Sequence, residues 1–154
     1  MKTPILGDLE ADEHIPNFYS AVFKYRDRDL TVCLDPDDAE LDVTLGAARK
    51  GLLDLERIEQ IARREASSRL LKTYNESWRE YQESDGKGGW EQILNPMLEA
   101  HEFESRLTLM SVTVSGEGDI SLGFHDGDLF AGHVVEVNSL DGLVFEDLNA
   151  GISG

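Results

Sequence analysis

A stripe of apolar side chains at helical spacing is the feature that most restricts how this chain can fold. These side chains recur every three or four residues, which places them on one face of an α-helix. They are Leu55, Ile58, Ala62, Ala66, Leu70, Tyr74, Trp78 and Tyr81. The pattern predicts a helix that begins between Leu41 and Asp54 and runs towards Tyr81, with Gly51 breaking a short helix around Val43–Lys50 from the longer one. The apolar face of this helix needs a second layer to cover it.

Strand-forming residues precede the helical region. Residues 18–26 and 30–34 are rich in aromatic and β-branched side chains, and the charged segment Asp27–Asp29 separates them. Two such runs around a short turn are typical of a β-hairpin. An acidic loop from Asp35 to Asp42 is expected to follow this hairpin.

The last third of the chain alternates short apolar runs with glycine-containing turns. The runs are Glu104–Val114, Ile120–Phe124, His133–Val137 and Leu143–Phe145. Turn signals at this spacing predict an antiparallel meander, with a bulge at Met110–Ser111 where strict alternation fails. The residues that we expect to pack against the helix are Leu107, Leu109, Val112 and Val114.

The segment between the helix and the meander contains a loop and a further predicted helix. Ser84–Gly89 has three glycines and no apolar residue, so we expect a flexible loop there, and Trp90–Leu98 is expected to form a short helix interrupted by Pro96. The chain as a whole is predicted to be α+β. It would form one domain, residues 1–154, in which an antiparallel sheet of hairpin plus meander packs against one long and one or two short helices.

The charge of the chain excludes several classes of partner. Its 31 acidic residues outnumber 14 Lys and Arg, for a formal net charge of −17. Such a charge repels nucleic acid and anionic membranes, so we predict neither as a direct partner. Cys33 is the only cysteine, which rules out an intrachain disulfide and predicts a small buried strand residue. The first thirteen residues lack the pattern of a signal peptide, and a cytoplasmic location is the expectation.

The acidic residues are unevenly distributed along the chain. Residues 111–154 contain eight carboxylates and no Lys or Arg. Such a region repels itself, and a basic protein partner would relieve that cost. The predicted partner-binding residues are Asp126, Asp128, Glu136, Asp141, Glu146 and Asp147, together with Trp90 beside the glycine loop as an aromatic anchor.

One segment concentrates side chains that could perform chemistry. His125, Asp126, Asp128 and His133 lie within nine residues and could together bind a divalent metal. Their spacing fits no established ligand motif, and the glycines at 127 and 132 indicate turns. We therefore predict structural roles for these side chains, with no metal, no cofactor and no catalytic residue.

Several segments together resemble a bacterial family of uncharacterised proteins, domain-of-unknown-function family 2262. They are Leu71–Trp78, Phe103–Leu107, Asp126–Phe130 with Gly132 and His133, and Ala150–Gly154, in about the second half of the chain. Family members usually carry a large aromatic residue just before Gly132, where this chain has Ala131. The resemblance implies a fold and no activity, because the family has none assigned.

The function predicted from these features is non-enzymatic binding. Small acidic proteins of bacteria often resemble immunity proteins, so we expect an inhibitor that neutralises a cationic toxin, for example a nuclease effector. Two alternatives stay open, namely a metal-dependent hydrolase that uses the 125–133 cluster and a phage-type inhibitor that mimics DNA. The sequence leaves the oligomeric state open.

Overall fold

The computed structural model of this protein describes residues 2–154. Its helices are α1 (Leu41–Leu53), α2 (Leu55–Ser77) and α3 (Ala100–Arg106), with a 3-10 helix at Gly142–Val144. Its strands are β1 (Lys2–Thr3), β2 (Gly7–Asp8), β3 (Glu10–Ala11), β4 (Tyr19–Tyr25), β5 (Arg28–Asp35), β6 (Glu80–Ser84), β7 (Trp90–Leu94), β8 (Thr108–Ser115), β9 (Asp119–His125), β10 (Val134–Ser139) and β11 (Leu148–Ser153). Among the described residues, no helix is long and apolar enough to cross a membrane.

A seven-stranded sheet in the order β11-β10-β9-β8-β5-β4-β3 organises the molecule. Its neighbours pair antiparallel except β5 and β8, which are parallel. A parallel pair needs a long connection, and here that connection contains all three α-helices and the separate β6–β7 hairpin. The α+β prediction, with an N-terminal hairpin and a C-terminal meander, is confirmed.

The helices cover one face of the sheet. Strand residues alternate between a buried face and a more polar one, as the two-residue period of a strand requires. The buried set includes Leu30, Val32, Leu34, Leu109, Val112, Val114, Ile120, Leu122, Phe124, Val135 and Val137, in one cluster with the α2 residues Leu55, Ile58, Ala62, Ala66, Leu70 and Tyr74. The predicted packing of the helical stripe against the sheet is therefore confirmed.

The predicted β-bulge lies where strict alternation fails. Leu109 pairs with Phe124 and Ser111 pairs with Gly123, which leaves Met110 as an extra residue in β8.

On the polar face, Cys33 is half-buried. Burial raises the pKa of its thiol above the ordinary value, against a smaller opposite effect of the hydrogen bond with Thr113.

The predicted helix boundaries are partly wrong. The break between helices falls at Asp54, not at Gly51, and α2 ends at Ser77 before it reaches Tyr81. Gly51 is buried inside α1, where an added Cβ would lie 3.1 Å from the Cδ1 of Ile120. This glycine thus allows close packing of the helix on β9 and does not form a turn.

Three further predicted elements need correction. Trp90–Leu98 is not a helix, because residues 90–94 form β7 and pair with β6. Residues 104–106 belong to α3, which a capping box between Glu99 and Glu102 begins. Leu143–Phe145 is not a strand, and the last strand is β11. Short apolar runs fit strands and helices equally well, so their period could not distinguish these cases.

The first hairpin turns one residue earlier than predicted. Tyr25 pairs with Arg28, so Arg26 and Asp27 alone form the turn. Their φ angles of 48° and 64° are the left-handed values that a tight two-residue turn requires.

Candidate functional site

Three acidic loops meet at one end of the sheet. β5, β8 and β10 all run towards this end, so the loops that follow them are neighbours. The N–H of Gly116 donates a 2.8 Å hydrogen bond to the carbonyl of Asp35, which joins the first two loops. An added Cβ at Gly142 would lie 3.4 Å from the Gly118 oxygen, so the third loop also lies against the second.

The three loops concentrate unpaired negative charge. Segments 35–42, 116–119 and 140–147 contain ten carboxylates and no Lys or Arg. Within residues 2–154, none of the ten forms an ion pair. We call this set the acidic end; it comprises Asp35, Asp37, Asp38, Glu40, Asp42, Glu117, Asp119, Asp141, Glu146 and Asp147.

A groove of about 600 Å³ opens between two of these loops. Glu117, Asp119 and Asp141 line it together with Leu140 and Leu143. Leu140 is 61% exposed, so an apolar side chain is presented to solvent among the carboxylates. A charged rim around an exposed apolar group is the arrangement expected of a surface that binds another protein.

Asp141 organises the loop that forms one side of the groove. Its carboxylate accepts hydrogen bonds from the Ser139 hydroxyl at 2.9 Å and from the backbone N–H groups of Glu146 and Asp147 at 3.2 and 3.0 Å. Partial burial raises the pKa of Asp141, but these hydrogen bonds outweigh it and hold the pKa below the ordinary value. The side chains of Glu146 and Asp147 remain exposed.

The 125–133 segment lies at the opposite end of the sheet, where β9 ends and β10 begins. Asp126 is fully buried, and its carboxylate accepts hydrogen bonds from the backbone N–H groups of Asp128, Phe130 and Gly132 at 3.0, 2.8 and 3.0 Å. Asp126 is predicted to contact a partner, and in the structure its side chain has no exposed surface. The carboxylate folds the loop instead of facing solvent.

The two histidines of this segment also form hydrogen bonds with the backbone. Nδ1 of His125 accepts the N–H of Gly127 at 3.0 Å, and Nδ1 of His133 donates to the carbonyl of Phe130 at 2.5 Å. The side chains of His125, Asp126 and Asp128 converge closely enough to offer ligand atoms to one ion. Because Asp126 already accepts three backbone hydrogen bonds, the donor set fits a folded loop better than a metal centre.

The remaining predicted site residues are divided between the two ends. Asp141, Glu146 and Asp147 lie at the acidic end, whereas exposed Asp128 lies at the opposite end. Glu136 is half-buried in the middle of β10, on the polar face of the sheet. Trp90 is 72% exposed on the β6–β7 hairpin, whose base adjoins the Asp128 loop. The predicted set therefore does not form one surface.

The acidic end includes residues that the sequence did not assign to it. Asp35, Asp37 and Asp38 were expected only in a loop after the first hairpin. The parallel pairing of β5 with β8 brings them beside the Gly116 turn. The closely spaced aspartates show in the sequence that this segment is negatively charged. The pairing of two strands over seventy residues apart cannot be identified from a local pattern.

Comparison with known proteins identifies one family. The family model described as "Uncharacterized protein conserved in bacteria (DUF2262)" matches residues 3–146. The match covers most of the chain rather than its second half alone, and it ends before the segment 150–154. Neither the curated proteins nor the solved structures contain a match.

Proposed function

The chain belongs to the DUF2262 family of bacterial proteins, and from its acidic end we propose that it is a non-enzymatic protein that binds and inhibits a cationic partner. The partner we propose is a bacterial toxin with a basic surface, for example a nuclease effector, and the chain would be its immunity-type inhibitor. The observation that carries this proposal is the convergence of ten unpaired carboxylates on one end of the sheet.

Electrostatics supports a cationic protein as the partner. Neighbouring carboxylates without counter-charges repel one another, and a basic surface placed against them removes that repulsion. Complementary potentials raise association rates by about 10- to 1,000-fold at low salt. A nuclease offers such a surface because its active site binds phosphates, and the carboxylates of an inhibitor can occupy the same positions.

The shape of the acidic end supports a protein rather than a free ion. Leu140 and Val144 are 61% and 56% exposed, and they lie on the same loop as Glu146 and Asp147. Exposed apolar side chains inside a charged rim supply the desolvated contacts that give a protein interface its affinity. The hydrogen bonds of Asp141 hold this loop in place before binding, which lowers the entropic cost of association.

Capture of the partner tests the proposal. The purified protein is used as bait for native cytoplasmic and secreted fractions at low and high salt, and the eluted proteins are identified by mass spectrometry. We expect one basic protein whose capture weakens with salt. The captured protein is then expressed with and without this chain, and we expect growth inhibition that co-expression of this chain relieves.

Charge reversal locates the interface. We expect Glu146→Lys with Asp147→Lys to lower the association rate by about tenfold or more, because both side chains face solvent at the acidic end. The matched control is Glu83→Lys with Glu91→Lys, which changes the net charge equally on the β6–β7 hairpin. Equal effects of the two variants, or a partner whose toxicity this chain leaves unchanged, would contradict the proposal.

The two alternatives receive less support from the geometry. A hydrolase at the 125–133 segment would need Asp126 as a ligand, and that carboxylate is occupied by three backbone donors. A DNA mimic would need carboxylates spaced along a face like duplex phosphates. The acidic end instead gathers its charges on three connections and on the ends of the elements beside them, while Glu59 and Glu65 of α2 pair with Arg63 and Arg69.

A further inference from the structure

A second concave site lies far from the acidic end, between the β6–β7 hairpin and the loop that follows β9. Its cavity measures about 480 Å³. The rings of Trp78 and Tyr81 and the side chain of Leu129 provide apolar walls. Cavities of small-molecule sites measure roughly 300–1,000 Å³ and are lined mainly by apolar and aromatic side chains, so this cavity has the size and character of such a site.

Two acidic side chains make the same cavity negatively charged. Glu80 and Asp128 line it, and no Lys or Arg does. In the part of the chain that the structure describes, neither carboxylate belongs to an ion pair, and Glu80 only accepts a long hydrogen bond of 3.4 Å from Gln92. Aromatic rings beside free carboxylates favour a cation, because the ring faces and the carboxylates both attract positive charge.

The walls of the cavity are held in place without a ligand. Asp126 fixes the loop that carries Asp128 and Leu129, which allows Asp128 to keep a left-handed φ of 65°. On the other side, Asn95 and Arg79 exchange hydrogen bonds of 2.8 and 2.9 Å across the base of the hairpin. Both walls are therefore preorganised, which reduces the cost of ordering them on binding.

We propose that this cavity binds an organic cation with an apolar body, that is, a protonated amine or guanidinium joined to an aromatic or aliphatic group. The cationic head would lie at Glu80 and Asp128, and the apolar body would contact Trp78, Tyr81 and Leu129. The ligand is either a free arylalkylamine or a short peptide segment with a basic and an aromatic residue. This site is separate from the acidic end, and it stands whether or not the toxin-binding proposal holds.

Fluorescence of Trp78 provides the direct test. The chain has two tryptophans, so Trp90→Phe leaves Trp78 as the sole reporter. In this background the protein is titrated with 4-phenylbutylamine, with its neutral counterpart 4-phenylbutanol and with the anion 4-phenylbutanoate. We expect a saturable change in Trp78 emission with the amine, binding of the alcohol about fivefold or more weaker, and no binding of the anion.

Variants show whether the amine binds in the cavity. Ala131→Phe fills it from one side, and we expect binding of the amine to be lost. Glu80→Gln and Asp128→Asn should each lower the affinity for the amine by about fivefold. Neither variant should change the affinity for the alcohol. Asp119→Asn is the matched control, because it removes one charge at the other end of β9. It should change the affinity for neither the amine nor the alcohol.

The source of the cation is decided by a second titration with the blocked dipeptide acetyl-phenylalanyl-arginine amide. Tighter binding of the dipeptide than of 4-phenylbutylamine identifies a peptide segment as the ligand, and weaker binding identifies a free amine. Equal affinity for amine and alcohol would overturn the proposal. Retention of binding in Ala131→Phe, with the fold intact by circular dichroism, would also overturn it.

Discussion

The backbone N–H of Phe130 donates a 2.8 Å hydrogen bond to Oδ2 of Asp126, a carboxylate with no exposure to solvent. Phe130 is itself fully buried, and its ring lies 5.4 Å from that of Trp78 in an edge-to-face arrangement. The carboxylate thus holds the loop in the conformation that packs an aromatic ring against Tyr74 of α2 and Phe103 of α3. The organisation of this end of the molecule depends on that one side chain.

Replacing Asp126 is predicted to destabilise the whole fold. Asp126→Ala leaves three backbone N–H groups without their acceptor, and the N–H of Phe130 is buried, so we expect a loss of about 3 kcal/mol or more in the free energy of unfolding. Asp126→Asn keeps one acceptor oxygen and should lose about 1–2 kcal/mol. Urea unfolding measures both. Asp128→Asn, an exposed control, should cost less than about 0.5 kcal/mol, and equal losses at the two positions would contradict this role for Asp126.

Arg63 links α2 to α3 and to the residue before β8, and its replacement is predicted to destabilise the fold. Its guanidinium donates to the carbonyls of Glu104 and Leu107 at 2.7 and 2.6 Å and lies 3.3 Å from the carboxylate of Glu59. Arg63→Met would leave the buried Glu59 charge without this partner, and we expect a loss of about 2–4 kcal/mol in unfolding free energy.

The exposed pair of Arg69 with Glu65 provides the control for Arg63. Arg69→Met should cost less than about 0.5 kcal/mol in the same urea experiment, because solvent screens that pair. Adding Glu59→Gln to Arg63→Met should recover part of the lost stability, since it removes a buried charge whose remaining ion pair is the 4.0 Å contact with Arg26. A double variant less stable than Arg63→Met would argue against that explanation.

The loop of residues 140–147 is predicted to lose its order in acid. The pKa of Asp141 is lower in the folded protein than in the unfolded chain, because hydrogen bonds to its carboxylate outweigh the effect of burial. A lowered pKa stabilises the fold above the unfolded value of 3.8, and this contribution disappears as the pH falls through the lower folded value. NMR titration should show Asp141 titrating below 3.8, with the amides of Glu146 and Asp147 shifting together with it.

Ser139 provides the check on the cause of this pKa. Its hydroxyl donates to the Asp141 carboxylate, so Ser139→Ala should raise the pKa of Asp141 towards the ordinary value. An unchanged Asp141 pKa in Ser139→Ala would assign the shift to the backbone donors alone.

Two glycines of the 125–133 segment are predicted to differ in their tolerance of alanine. Gly127 and Gly132 have φ angles of 59° and 83°, which alanine adopts at a cost of about 1–2 kcal/mol. An added Cβ at Gly127 would collide with the backbone carbonyl of Arg106, whereas one at Gly132 would meet nothing within 4 Å. We expect Gly127→Ala to lower the thermal midpoint clearly more than Gly132→Ala does. A larger effect at Gly132 would contradict the contact with Arg106.

Local sequence pattern determined the elements that have a strong period. The stripe from Leu55 to Tyr74 predicted α2, and the alternating runs with glycine turns predicted β8, β9 and β10. A helical stripe and a strand alternation are properties of neighbouring residues, so they can be identified without knowing the fold. The bulge at Met110 was predicted for the same reason, because it interrupts that alternation.

The tertiary structure decided which charges share a surface. Asp141 and Asp126 are both acidic turn residues in the sequence, yet one organises a solvent-facing loop at the acidic end and the other is buried at the opposite end. The parallel pairing of β5 with β8 alone brings Asp35 to the Gly116 turn. Burial and neighbourhood arise from contacts between distant segments, and the energy of those contacts depends on the complete packing rather than on any local pattern.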